Sequence, residues 1–541
     1  MKDESRLKTE SGLAVEPFYR PPETGSRDYD RALGDPGEFP YTRGVRPPGS
    51  SRQMFIEREL SGEGSPRRSN EQLKELLAHG QRGVDVIGDA PTVALMDPDH
   101  PYARYSVGTQ GVSMCRLRDW FDLYEGIDID ALTLSHSLSP MFTVAALHAL
   151  AEARGVDPAR LRGSVVNAPY YGEDTGYATH MPFELRQRSS VDAIAFAAEH
   201  LPRFHSFVED TYFFADGGLQ AVEEMALGFI EIRGITRELV SRGVDIDSFA
   251  PRIAILVDCR MDVFEEIAKI RATRRIFARM MRDEFGAKDP RSMAVNITAH
   301  TSGMSLTAQQ PANNIVRGAI QATALAMAGV QAMEVSAFDE AFRTPSPEAH
   351  QLGLRTQQIV GLESGAGRVA DPLGGSWYVE SLTDDLERRI LALIADLESR
   401  GTPAELADRG VFRGIFQRAM SRHAENVASG ELPLVGVNCY QIPAESDTLL
   451  RSSVEAKFEA DGERIAEIAA WKATRDPDAL AAALGALRDV ADDRSANTIP
   501  AIARAYEAGA THGEMSGVLR ESYGWHADPL AEQAVAPGSA A

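Results

Sequence analysis

Short apolar runs alternate with longer stretches in which apolar residues recur every three or four positions, from about residue 71 to about residue 401. The runs are GVDVIGD (83–89), LTLSHSL (132–138), GSVVNAP (163–169), HSFVEDTYF (205–213), RIAILVDC (252–259), SMAVNITAH (292–300), AMEVSAF (332–338) and GSWYVE (375–380). Each has the length and side-chain character of a buried strand, and the stretches between them have the period of amphipathic helices. The clearest helices follow the fourth and fifth runs, over 219–243 and 263–286. Eight strand–helix units predict a parallel α/β fold. A closed (β/α)8 TIM barrel is one solution and an open doubly wound sheet is the other. Residues 1–70 read as an extended N-terminal arm, rich in Pro, Gly, Arg and Asp without a period, with SGEGSPRRSN (61–70) as its last irregular stretch. The first helix is expected at EQLKELLAHG (71–80), and residues 402–541 read as a mostly helical segment.

With 541 residues, 43% of them hydrophobic, the chain is large enough for a barrel of roughly 250 residues and an appendage. The 79 acidic residues outnumber the 56 basic ones and give a net charge of -23, which argues against nucleic acid or an anionic membrane surface as partner. Cys115, Cys259 and Cys439 are far apart and lack metal-ligand spacing, so reduced thiols in a cytoplasmic protein and no metal site are expected. The N-terminal residues are charged, without the apolar core of a secretory signal. There is no phosphate-binding glycine loop, no HExxH and no CxxC pair.

Six segments together are more specific: FPYTRG (39–44), SRQM (51–54), TSGMSLTAQ (301–309), SAFDEAFRTPS (336–346), ESGAGRVADPLGGSWYVE (363–380) and VGVNCY (435–440). In these the chain resembles the large subunit of the methylmalonyl-CoA mutase family over roughly residues 38 to 525. The resemblance implies barrel closure, with functional residues at the C-terminal strand ends, and a radical 1,2-rearrangement of an acyl-CoA thioester that depends on adenosylcobalamin. The family's cobalt-ligating D-x-H-x-x-G motif is absent from the sequence. The resemblance therefore implies a separate small subunit that carries the cobalamin, in a hetero-oligomer.

Site residues follow from the same resemblance. Glu340 corresponds to the carboxylate that holds the adenosyl ribose, with Gln331, Ala341, Ser336 and Asp216 as cofactor-binding neighbours. Tyr212, Phe213, Met54 and His300 occupy catalytic positions, and Arg252, Asn167 and Arg52 are assigned to the substrate; Asp85 and His136 are assigned to it from their own polar character, outside the resemblance. Several identities depart from the family pattern. Phe213 stands where a histidine donates to the thioester carbonyl, Met54 where a tyrosine wedges the adenosyl group, and Val166 where a glutamine precedes Asn167. An H-x-Q pair reads Thr298 and His300, and Ser336 replaces an asparagine. The arginine that pairs with the free carboxylate of methylmalonate aligns near Gly176, so a substrate other than methylmalonyl-CoA is expected. The chain is also about six residues shorter between Gly44 and Arg52, where the thioester chain is gripped.

A different polar set lies on the strands: Asp85, Asp89, His136, Asp210, Asp258, His300 and Glu334. Facing a pocket, they would suit a cationic or hydroxylated substrate better than a dicarboxylate. Two other readings stay open on the residues alone: a noncatalytic structural subunit of a mutase complex, and a barrel enzyme that works without cobalamin.

Overall fold

Seven of the eight apolar runs form strands, and the eighth does not. The structure is a computed structural model, and it describes residues 9, 11–13, 29–47, 54–175, 178–367, 369–450 and 459–531. The strands are β1 (Ile56–Arg58), β2 (Leu60–Ser61), β3 (Gly83–Ile87), β4 (Thr133–Ser137), β5 (Arg162–Val166), β6 (Phe204–Asp210), β7 (Ile253–Cys259), β8 (Asn296–Thr301) and β9 (Ala332–Glu334). They form one sheet in the order β1-β9-β8-β7-β6-β5-β4-β3-β2. Its two ends, β1 and β2, are separated in the chain by Glu59 alone. That is the strand order of a (β/α)8-type barrel rather than of an open doubly wound sheet.

Among the described residues the helices of nine residues or more are α1 (Pro66–Ala78), α2 (Pro140–Ala153), α3 (Phe183–His200), α4 (Ala221–Ser241), α5 (Val263–Arg279), α6 (Asn313–Ala328), α7 (Pro347–Leu362), α8 (Trp377–Ser399), α9 (Val411–Ser429), α10 (Gly462–Lys472), α11 (Pro477–Asp492), α12 (Ile499–Glu507) and α13 (His512–Ser522). Among the described residues no helix is long and apolar enough to cross a membrane.

Two expectations are corrected. GSWYVE is not a strand but the start of α8. Ser376 caps it by accepting from the Val379 amide, and Glu380 in its first turn accepts from Arg271 at 2.6 Å. Cap chemistry outweighs the strand preference of Trp377, Tyr378 and Val379. The strand that takes its place in the count, β1, lies inside the supposed arm. It carries Glu57 and Arg58 and so shows no apolar run. Each has a tertiary partner: Arg82 Nη2 lies 3.0 Å from Glu57, and Arg58 Nη2 donates to Thr298 Oγ1 at 3.2 Å. SGEGSPRRSN likewise is not irregular throughout, because α1 begins at Pro66.

The contacts divide the chain into two units. The first comprises Met1–Leu60, Leu76–Gly83 and Val208–Lys457. In it α5 packs on α6 and α8, α4 on α8, and α6 on α7. Arg275, buried on α5, reaches Asp384 at 2.8 Å and Glu387 at 2.6 Å on α8. The second unit comprises Ser61–Glu75, Val84–Phe207 and Phe458–Ala541. There α2 packs on α3 and α12, and α11 on α12 and α13. Arg188 of α3 donates to the carbonyls of Val490, Ala491, Asp493 and Ala496, which satisfies the C-terminal end of α11. Gly163 of β5 sits opposite Leu134 of β4, where a Cβ would collide with the Leu134 carbonyl. Only glycine fits there.

Candidate active site

In the first unit, register brings four ionisable residues into one row. Asp258 of β7 pairs with His300 of β8, His300 with Glu334 of β9, and Glu334 with Arg58 of β1. Residues in register on parallel strands point to the same face, as do residues two apart on one strand. The Arg58 to Thr298 hydrogen bond joins β1 to a residue two before His300, which places both on that face. The row sits at the C-terminal strand ends, where a barrel of this type builds its site.

Its contacts are short. His300 Nδ1 lies 3.1 Å from Glu334 Oε2. The Tyr212 ring meets the His300 ring edge-on, centroids 5.0 Å apart at 65°. Tyr212 is placed by the short helix Thr211–Asp216 that continues β6; its N-cap Asp210 accepts from the Phe213 amide. The Tyr212 hydroxyl donates to Asp216. A Cβ on Gly303 would lie 3.3 Å from both that hydroxyl and Asp216 Oδ2, so the glycine leaves the space open. Arg260 lies 3.5 Å from Asp258 and donates to the Ala215 carbonyl at 2.6 Å. Glu340 is half-buried and accepts from the Ala337 amide at 3.1 Å. Ser336 donates to the Thr301 carbonyl at 2.7 Å, tying the chain beyond β9 to the end of β8.

Crowding of acids in a dry wall decides their protonation. Burial, and then the charge of Glu334, push the Glu340 carboxyl up to about 8, while His300 pulls it down. Burial, with the charges of Glu334 and Glu340, holds Glu59 well above the carboxylate range. Burial likewise raises Asp216, and burial plus Asp216 raise Asp258. Tyr212 is pushed up and stays a phenol. The wall therefore presents neutral carboxylic acids that can donate hydrogen bonds, as well as acceptors.

Other predicted residues are not part of the row itself, although the Phe213 ring lies 5.4 Å from that of Tyr212. Gln331 is at the entrance of β9, where its amide accepts from Ile297 N at 2.8 Å and donates to the Gly329 carbonyl at 3.0 Å. Arg252 ends the single turn Ala250–Arg252 ahead of β7. Ala341 is exposed and Phe213 half-buried. Met54 is half-buried against Gly367, where a Cβ would meet its side chain. Arg52 and Gly176 lie outside the described residues.

In the second unit, the His136 Nδ1–H donates to the Ser164 carbonyl at 3.3 Å, so Nε2 accepts from the Tyr124 hydroxyl at 2.6 Å. Burial lowers that imidazole to about 4, which keeps it neutral. Asp85 is buried, Asn167 donates to the Ser206 carbonyl at 2.9 Å, and Asp89 accepts from Gly108 and Thr92 amides. Sequence reasoning missed Arg58, Glu59 and Arg260. The run of three charges in FIERELS was the available signal for the first two.

Among the described residues no group of three or more His, Cys, Asp or Glu is arranged to hold a metal ion. The profile of the family described as methylmalonyl-CoA mutase matches residues 8–525. The chain is 32% identical over 496 residues to the 2-hydroxyisobutanoyl-CoA mutase large subunit of Aquincola tertiaricarbonis, covering 91% of this chain and 88% of that one. It is 31% identical over 521 residues to the methylmalonyl-CoA mutase of Escherichia coli K12, covering 95% and 72%. To the methylmalonyl-CoA mutase large subunit of Streptomyces virginiae it is 32% identical over 542 residues, covering 98% and 73%. With the barrel strand order and a profile match over nearly its whole length, the chain belongs to the methylmalonyl-CoA mutase family of isomerases.

Proposed function

We propose that this chain is the large subunit of an adenosylcobalamin-dependent mutase that rearranges an acyl-CoA-type thioester without a second carboxylate. A small partner subunit would bind most of the cobalamin. The observation that carries this reading is the acid row. A substrate carboxylate placed against Glu334, Glu340 and Asp258 would add charge to a wall that already resists ionisation. Arg260, the guanidinium beside it, is engaged by Asp258 and the Ala215 carbonyl. A hydroxyl group suits the same wall, because it can both donate to and accept from carboxyl groups. The Aquincola relative, named for a 2-hydroxyacyl thioester, supports that substrate class.

The residues present also fit the adenosyl group. Among the described residues Asp216 Oδ1 is buried with no hydrogen-bond partner, and Glu340 is half-buried on the turn after β9. Together they offer carboxyl groups to the two ribose hydroxyls. Bound there, adenosylcobalamin would supply a carbon radical by homolysis of its Co–C bond. The chain's own task is then to orient and to exclude water. His300, fixed by Glu334 and Tyr212, holds the acyl oxygen, while Phe213 and Met54 supply apolar cover. Cys115, Cys259 and Cys439 are free thiols, which supports a cytoplasmic setting.

The test is to mix the purified chain with a small cobalamin-binding subunit loaded with adenosylcobalamin and record the visible spectrum. Association with a changed corrinoid spectrum is expected; no association with any small subunit of the family would refute the proposal. A second reading, a noncatalytic structural subunit, is favoured by the departures at Phe213, Met54 and Gly176 together, Phe213 above all, since a phenyl ring cannot donate to a carbonyl. It predicts association without turnover.

Glu340 also predicts a pH dependence. Its folded pKa of about 8 lies above the ordinary 4.5, so the folded state prefers the protonated form. Its contribution is fully present below the ordinary value and is lost as pH rises through about 8. Glu340→Gln, which mimics the neutral acid, should flatten the fall of the thermal midpoint between about pH 5 and about pH 8. An unchanged slope would show that the carboxyl is ionised throughout.

A further inference from the structure

In VDCRMD (257–262) an arginine takes the first position beyond β7, where the apolar strand gives way to the C-terminal end of the sheet. Arg260 is nevertheless only 6% exposed, so its charge needs partners inside the protein. Those partners span two elements. The side chain lies 3.5 Å from Asp258 at the end of β7, and Nη2 donates to the Ala215 carbonyl at 2.6 Å. That carbonyl belongs to the last turn of the short helix Thr211–Asp216, whose final acceptors need donors from beyond the helix. Arg260 therefore fixes the turn that ends in Asp216, the next residue. Asp216 is held from two further directions. The Tyr212 hydroxyl, one turn earlier, donates to it, and so does the Met304 amide beyond β8. Its Oδ1 is buried and accepts no hydrogen bond among the described residues.

We infer that Arg260 is a positioning residue for the nucleoside end of the cofactor, presenting Asp216 as the acceptor for the ribose hydroxyls. The inference rests on the adenosylcobalamin reading above. Two carboxyl groups flank one guanidinium here, and in a dry wall like charges so close do not both persist. Asp258 is fully buried, and neither of its oxygens accepts a hydrogen bond among the described residues, so it is the member that keeps its proton. Burial raises Asp216 as well, but the Tyr212 hydroxyl, Arg260, the Met304 amide and His300 all act against that rise. Asp216 is therefore the member that carries the charge, and an anionic oxygen accepts from a hydroxyl more strongly than a neutral one. Glu340, pushed up to about 8 chiefly by burial, is the complementary donor. A ribose diol, whose two hydroxyls each donate and accept, matches an anionic acceptor paired with a protonated acid.

Calorimetric titration of the full chain with free nucleosides tests it. The wild type should bind adenosine at least about 10-fold more tightly than dideoxyadenosine, which lacks both ribose hydroxyls; that is the gain from one charge-assisted hydrogen bond. Arg260→Gln keeps a donor for the Ala215 carbonyl but removes the charge, and the preference should fall below about 3-fold. Arg260→Lys returns the charge and should return the preference. A merely structural role would weaken both nucleosides alike and leave their ratio unchanged. Asp216→Asn, which leaves Arg260 in place, repeats the test at the acceptor itself and should lose the preference too. An unchanged ratio in Arg260→Gln would overturn the inference and leave the adenosyl reading standing. An unchanged ratio in Asp216→Asn, or a wild type that binds no adenosine, would overturn both.

Discussion

Replacing His300 with alanine is expected to lower turnover of the reconstituted mutase by about 10²–10³-fold, the cost of losing one preorganised donor to a substrate oxygen. The change removes the imidazole that lies 3.1 Å from Glu334 and edge-on to Tyr212, so it also loosens the phenol beside Asp216. Folding should suffer less, by about 1–3 kcal/mol, the usual cost of a buried partner left behind. Glu334→Gln separates orientation from chemistry. It keeps the shape but lowers the carboxylate's hold on the ring, so a drop of about 10-fold is expected, comparable to other changes that act through a supporting partner. Steady-state kinetics with the small subunit present decides the matter. Unchanged turnover in His300→Ala would remove this residue from the site.

Replacing Lys269 with methionine is expected to destabilise the chain by about 3–5 kcal/mol, because it leaves buried acids without their counter-ion. Lys269 is almost fully buried on α5. Its ammonium lies 2.8 Å from Glu224 and 2.7 Å from Glu266, and donates to the Asp258 carbonyl at 2.8 Å. Burial works against that charge, but Glu224, Glu266 and Asp258 outweigh it and push the lysine up. Burial raises Glu266 to about 7 even with Lys269 present. The cluster also reaches the site. Thr211 Oγ1 is 3.0 Å from Glu224 Oε1 and 2.9 Å from the Leu256 carbonyl, which fixes the turn that carries Tyr212. The urea midpoint measures the loss. Replacing Lys269, Glu224 and Glu266 together by neutral residues should recover most of it, because no unpaired charge remains. A loss under about 1 kcal/mol in Lys269→Met would mean that water reaches the cluster.

The barrel was legible wherever burial is expressed as apolar residues. IAILVDC, TLSHS and FHSFVED announce themselves because their inward positions are largely hydrophobic or small. β1 does not, since Glu57 and Arg58 are charged and their partners Arg82 and Thr298 are distant in sequence. No local pattern could report those partners. GSWYVE misled for the opposite reason: three strand-forming side chains stand in the first turn of α8, two of them outside the core. At the site, His300, Glu334 and Asp258 were visible as ionisable residues within apolar runs, and Glu340 through the resemblance carried by SAFDEAFRTPS. The raised protonation of the acids was not, because it depends on how many of them share one wall. His136 shows the limit of such reasoning. Its spacing resembles that of His300, yet Tyr124 and the Ser164 carbonyl occupy both its nitrogens.

The acid row should select against a substrate with a second carboxylate. The most direct measurement is kcat/KM of the complex with its small subunit, for a 2-hydroxyacyl-CoA and for methylmalonyl-CoA under the same conditions. The 2-hydroxyacyl thioester should be preferred by at least about 100-fold, since an uncompensated buried carboxylate costs several kcal/mol. Equal turnover of the two, or a preference for methylmalonyl-CoA, would contradict it.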